Sequence, residues 1–259
     1  MNLQLENKTA LVTGSTKGIG FAIARLLASE GANVIVNGRG EDSTRSAAQK
    51  IGARARGIAA DVSTAEGCAK LARESGDVDI LVNNAGIFEP KPFVEISDSD
   101  WERFYQVNVL SGVRLARAIL PGMLRRNWGR IVFMSSESGI QIPEEMIHYG
   151  MTKAAEIALV NGIARLTKGT GVTVNAVLPG PTASEGVTEF VGKLASNAKQ
   201  TPREFEKEFF RSVRPTSLLG RFATVEEVAS MVIYVCSPLA SATNGAALRV
   251  DAGVVRGTV

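Results

Sequence analysis

The chain is poor in residues that staple, ligate or anchor. It holds two cysteines, Cys68 and Cys236, far apart and in no Cys-x-x-Cys pair, and one histidine. A disulfide framework and a conventional zinc cage are therefore excluded, and the expected state is two reduced thiols. No apolar run nears the ~18 residues of a membrane span. Residues 1–8 contain no signal-peptide core. Charge of one sign is also scarce: 29 basic against 26 acidic side chains leave +3. Neither nucleic acid nor an anionic membrane is called for as partner. A reducing compartment, most simply the cytoplasm, is the expectation.

What is present is a globular composition, 45% apolar and 21% charged over 259 residues. Chains near this length bury about 75% of their unfolded surface. Short apolar runs alternate with longer amphipathic stretches. Strand-like runs begin near Thr9, Asn33, Gly57, Asp79, Arg130, Val172 and Ala246. Ile19, Ile23, Leu26 and Leu27 fall on one face of a helix after the first run. Ser63 to Glu66, Ser97 to Asp100 and Thr224 to Glu227 read as capping boxes that open helices. The Ser97 helix runs toward Arg126, and another spans about 147–168. Strands apolar throughout, spaced by helices, predict an α/β fold with a parallel sheet covered on both faces. No linker, repeat or low-complexity tract divides the chain, so one domain over 1–259 is expected. Residues 183–220 break the alternation, with short amphipathic pieces near 188–198 and 202–213. An insertion beyond a strand's carboxyl end is where a substrate lid would sit, the alternative being a surface excursion that touches no ligand.

The first turn reads Thr13-Gly14-Ser15-Thr16-Lys17-Gly18-Ile19-Gly20. A strand ends, the chain turns tightly, and a helix begins with free N–H groups and a positive dipole end. That geometry receives a pyrophosphate. An acid that would hold a ribose 2′-OH is missing from the end of the second strand, Val36-Asn37-Gly38-Arg39-Gly40, and none appears until Glu41. Arg39 stands where a 2′-phosphate would lie, and Lys17 could reach it. Two cations and no anion favour NADP(H) over NAD; the alternative is two solvated surface charges.

Tyr149 and Lys153 are i and i+4, on one face of the predicted helix, and Ser136 follows the fifth strand. A carbonyl that accepts hydride needs a proton on its oxygen, and a phenol near pKa 10 is a sluggish donor at neutral pH. An ammonium about 4 Å away contributes about 4 kcal/mol at an effective dielectric of 20. That amounts to about three pKa units, enough to bring the phenol near neutrality. Ser136 would hold the substrate oxygen. His148 lies ~100° further round the helix and faces elsewhere. Arg125, Arg126 and Arg130 cluster around Trp128 as a solvated loop. Glu144 and Glu145 either border the substrate pocket or begin a helix in solvent.

With these residues in view the sequence resembles the short-chain dehydrogenase/reductase family, and 3-oxoacyl-[acyl-carrier-protein] reductases within it, from about Lys8 to Gly253. Matching stretches are Thr13-Gly14-x-x-x-Gly18-Ile19-Gly20, Asp61-Val62, Asn83-Asn84-Ala85-Gly86, Asn108 within Val107-Asn108-Val109, Ser136, Tyr149, Lys153 and Pro179-Gly180. The resemblance implies one Rossmann-like, doubly wound, seven-stranded parallel sheet with helices on both faces and strand order 3-2-1-4-5-6-7. It implies that Tyr149 is the acid–base and that Lys153 lowers its pKa and bonds the nicotinamide ribose. Ser136 would position the substrate, and Asn108 would hold a relay water. Asp61 and Val62 would meet the adenine. Asn84, Ala85, Gly86, Pro179, Gly180, Thr182 and Ser184 would line the cofactor, with Ser184 where the family often has threonine. Implied partners are a small carbonyl or alcohol substrate and further copies of the chain, as a homotetramer or homodimer. The competing expectation is a sensor or scaffold that binds NADP without turnover.

Overall fold

The computed structural model describes residues 2–185 and 201–257. Seven strands form one parallel sheet: β1 (Thr9–Val12), β2 (Asn33–Gly38), β3 (Ala55–Ala59), β4 (Ile80–Asn83), β5 (Gly129–Met134), β6 (Val172–Pro179) and β7 (Ala247–Val250). Their order is 3-2-1-4-5-6-7, and every pairing is parallel. Both expectations hold. The inner strands β5 and β6 are buried along their whole length, as unbroken apolar runs require in a sheet with two covered faces.

Helices α1 (Gly18–Ser29), α2 (Glu41–Ile51) and, near the end of the chain, Val225–Cys236 cover one face. Helices α3 (Ala65–Ser75), α5 (Ser111–Arg125) and α6 (Ile147–Arg165) cover the other, with Leu71, Leu115, Met123 and Val160 in its core. Short α4 (Asp98–Phe104) leads into α5 through a π-helical turn at Tyr105–Leu110. Among the described residues the insertion contributes α7 (Pro202–Ser212), which matches the piece expected near 202–213; the piece near 188–198 lies outside them. The Val225–Cys236 helix is then α8.

Several expectations need correction. Ser97 and Thr224 do open helices with reciprocal capping boxes. At the third site the cap is Thr64, whose hydroxyl accepts from Gly67 N–H, so the Ser63–Glu66 box does not form. Helix α2 carries no clear sequence pattern, its buried residues being Thr44, Ala47 and Ala48 alone. Helical residues 98–125 do reach the length and apolarity of a membrane span over one window, by length and composition alone, and half of that window is buried in the fold. Arg130 is not solvated. It is 2% exposed, donates to the Gly129 and Gly171 carbonyls at 2.8 Å each, and stacks over Trp128 at 4.8 Å. Arg126 pairs with Asp77 at 2.8 Å.

Candidate active site

In a sheet of this order the ligand crevice lies at the carboxyl ends, where β1 and β4 diverge. The glycine turn leaves β1 there. Gly14 and Gly18 have φ of +59° and +60°, a region that L side chains avoid. A Cβ on Gly20 would stand 2.4 Å from Asn84 Nδ2 and 2.6 Å from Gly14 O. Gly20 thus lets Asn84 donate to Thr13 O and Gly14 O at 2.9 and 3.0 Å. Thr13 Oγ1 accepts from the Asn84 and Ala85 N–H groups, so the turn and the 84–86 stretch form one bonded unit. Ser15 faces inward: its hydroxyl donates to Val12 O and accepts from Asn37 N–H. Ile19 packs partly buried on the core.

The structure shows an anion's place at this turn. Gly18 N–H donates to a carboxylate oxygen of Glu185 at 2.6 Å, and no acid occupies the first turn of α1. A phosphate oxygen would find the same donor and the same dipole end. Lys17 and Arg39 are both exposed, and neither has an ion-pair partner among the described residues. Thr16 packs against Gly38 at the end of β2. Asp61 is exposed and its carboxylate accepts from Ser63 N–H, while Val62 is buried under α3 and α5. Pro179 ends β6, and Gly180 passes so close to Asp251 that a Cβ would meet its carbonyl at 2.7 Å. Thr182 is buried and donates to Gly180 O, and Ser184 lies against Gly18. The residues fit a dinucleotide phosphate.

The catalytic candidates converge beside this unit. A Cβ on the exposed Gly86 would stand 3.5 Å from Asn108 Oδ1 and 3.6 Å from Lys153 Nζ. Lys153 Nζ is 5.7 Å from the centre of the Tyr149 ring. Ser136 leaves the carboxyl end of β5, and its neighbour Ser135 donates to Lys153 O at 2.8 Å, tying that loop to α6. Asn108 sits in the π-helical turn, a distortion that recurs at functional sites. Both its amide hydrogens are engaged, on Ile87 O and Thr152 Oγ1, and its Oδ1 accepts from Ile87 N–H. Its side chain braces the loop after Gly86. His148 points away from the cleft, buried at 4.0 Å from the Phe104 ring, as its position on the helix required.

Electrostatics here depart from the simple tyrosine–lysine picture. Nζ of Lys153 donates to Met134 O at 2.8 Å and to Glu156 Oε2 at 2.9 Å, with both charged side chains almost wholly buried. Burial alone would pull Lys153 down, but the Glu156 carboxylate, together with Tyr149, overcomes it and lifts the ammonium above its usual range. Burial pushes Glu156 up to about 7 against the pull of Lys153. The Tyr149 phenol is not brought toward neutrality in this state. Burial raises it, the Lys153 charge opposes without prevailing, and Glu137 and Glu156 add to the rise. The ammonium's field is shared with a carboxylate that the Tyr-x-x-x-Lys spacing does not reveal.

Three further groups at the site escaped the sequence reading: Glu156, Glu137 and Arg214. Ser136 donates to the Glu137 carboxylate, and Arg214 lies between Glu137 and Glu145 at 3.5 and 3.1 Å. Arg214 follows α7, so one end of the insertion reaches over the catalytic loop while Ser184 and Glu185 at the other end reach the glycine turn.

A family model for short chain dehydrogenases matches residues 8–195. An uncharacterized oxidoreductase of Bacillus subtilis (strain 168), YvrD, is 46% identical over 99% of both chains. The 3-oxoacyl-[acyl-carrier-protein] reductase FabG of Aquifex aeolicus (strain VF5) is 35% identical over 98% of this chain and 100% of that one. The crystal structure of L-sorbose reductase from Gluconobacter frateurii with NADPH and L-sorbose superposes with a TM-score of 0.94, at 30% identity over 99% of this chain and 100% of that one. The chain belongs to the short-chain dehydrogenase/reductase family of oxidoreductases.

Proposed function

We propose that the protein is an NADP(H)-dependent oxidoreductase of ketones and secondary alcohols in which Tyr149 is the acid–base. The observation that carries this reading is Lys153 Nζ standing beside Gly86 and 5.7 Å from the Tyr149 ring centre, next to a glycine turn whose Gly18 N–H already holds a carboxylate. When bound, a reduced nicotinamide supplies hydride to the carbonyl carbon, and its oxidised form takes hydride back from the alcohol. Tyr149 Oη delivers the proton to the carbonyl oxygen in reduction and recovers it in oxidation. Ser136 Oγ holds that oxygen as charge develops on it. Lys153 holds the ribose and keeps positive charge near the phenol, and Asn108 braces the wall that Gly86 forms. Thr182, Ser184 and Pro179-Gly180 line the cofactor on the β6 side.

The preference for NADP(H) rests on Arg39 and Lys17, exposed and without an ion-pair partner among the described residues, at the end of β2 and in the glycine turn, with no carboxylate between β2 and Glu41. We further infer that 183–220 acts as the substrate lid, supported by the contacts of Glu185 and Arg214 with the two halves of the cleft. The free, buried thiols of Cys68 and Cys236 support a reducing, cytoplasmic setting. Assembly into a homodimer or homotetramer completes the proposal.

The test is NADPH consumption across a panel of ketones, run beside NADPH titration. Turnover of one or more ketones with NADPH preferred to NADH supports the reading. Tight NADPH binding with no turnover across a broad panel would defeat it in favour of a sensor.

A further inference from the structure

Ser136 has one hydroxyl proton, and the structure commits it. The hydroxyl donates to Glu137 Oε2 and accepts from Ser138 N–H at 3.1 Å. Ser136 and Glu137 are 6% and 5% exposed. A serine that holds a ketone oxygen must turn that same proton to the substrate. Glu137 then loses a donor inside the protein, and a buried acceptor left unmet is costly. Arg214 does not make up the loss. Its Nε stands 3.5 Å from Glu137 Oε1, long for a hydrogen bond, and its Nη1 is engaged by Glu145 at 3.1 Å.

Ser138, through its backbone and hydroxyl, is the other donor beside the Glu137 carboxyl, and a ligand can bring a further one. A hydroxyl oxygen on the carbon next to a carbonyl can lie about 2.8 Å from the carbonyl oxygen, one hydrogen-bond length. With the carbonyl oxygen on Ser136 Oγ, that hydroxyl comes within reach of the carboxylate Ser136 has just released. Ser136 donates to the carbonyl and the ligand hydroxyl donates to Glu137, so every buried partner is met. A ketone without that hydroxyl either leaves Ser136 turned away or leaves Glu137 short of the Ser136 donor, with Ser138 and Arg214 beside it. Glu137, lifted by burial above the usual carboxylate range, and Glu145 both face the one Arg214 guanidinium here, so this wall offers an anionic group beside the carbonyl no unshared cation.

We propose that Glu137 is a specificity residue that accepts a hydrogen bond from a hydroxyl on the carbon adjoining the reactive one, so that the favoured substrates are uncharged α-hydroxy ketones and the vicinal diols they form. This rests on the reading of Ser136 and Tyr149 given above.

The experiment compares hydroxyacetone with butanone, which differ by a hydroxyl in place of a methyl, as kcat/KM with NADPH in the natural enzyme and in Glu137→Gln. Intrinsic reactivity of the two ketones cancels in the ratio of ratios. The hydroxyacetone preference should fall by about tenfold or more in the variant, since a site built to bond a hydroxyl discriminates strongly against its absence. If Glu137→Gln does not fold, Glu137→Asp, which keeps the charge and withdraws it by one methylene, should show a smaller fall of the same sign. An unchanged preference, with both enzymes turning over butanone, overturns this inference alone. If the natural enzyme turns over other ketones of the panel but not hydroxyacetone, this inference falls alone; absence of turnover across the whole panel overturns the parent reading with it.

Discussion

Replacing Glu156 with glutamine should move the alkaline limb of NADPH binding to lower pH. The carboxylate lies 2.9 Å from Lys153 Nζ, with side chains 5% and 2% exposed. At that distance and an effective dielectric of 20 the attraction is about 6 kcal/mol, or about four pKa units at ~1.36 kcal/mol each. Glutamine keeps an acceptor for Nζ and removes only the charge. The sign follows directly. Glu156 lifts Lys153 above its usual range against burial, so without that charge burial prevails and the ammonium is lost at lower pH. NADPH affinity that depends on the ammonium should then be full at low pH and fall as pH rises through the lowered pKa. The assay is NADPH fluorescence titration across pH in a Tyr149→Phe background, where the phenol cannot titrate. A downward displacement of about two to four units is expected. A limb that stays in place, or moves upward, would refute the claim that Glu156 keeps Lys153 charged.

Gly20→Ala should weaken NADPH binding about thirtyfold to a hundredfold, because its methyl displaces the Asn84 amide and forfeits two hydrogen bonds at about 1 kcal/mol or more each; equilibrium titration alongside a thermal melt checks it. Glu185→Gln should tighten NADPH binding several-fold, since the carboxylate that competes for the α1 N-terminus becomes neutral, a change of about 0.3–1 kcal/mol, measured as Kd at low salt. Arg39→Ala should narrow the preference for NADPH over NADH by about tenfold, the loss of one charge-assisted bond to the 2′-phosphate, and leave NADH affinity unmoved.

The sequence made legible whatever repeats a local rule. The parallel sheet and its two covered faces followed from apolar runs spaced by helices, the strand order from the family resemblance, and the glycine turn from its placement after β1. The capping boxes at Ser97 and Thr224 were read from four residues each. What was missed depended on partners distant in the chain or on weak local pattern. Helix α2 buries only small residues, so its periodicity is faint. Arg130 looked solvated until β5 set it among carbonyls from Gly171 and Ser237. Arg214 meets Glu137 across 77 positions of sequence only because the segment after α7 lies against the loop that follows β5. Glu156 is one turn from Lys153, yet its effect on the phenol depends on the burial of both, which spacing does not reveal. Thus the candidate site residues can be named from the sequence, and the charge balance around them cannot.

The central claim is that the Tyr149 phenol carries the proton for a hydride transfer at this site. The most direct measurement is single-turnover oxidation of bound NADPH by a ketone in Tyr149→Phe. The account predicts a rate lowered by about a hundredfold to ten-thousandfold with NADPH Kd within about twofold of the natural enzyme. A rate that survives the loss of that one oxygen, with cofactor still bound, would contradict it.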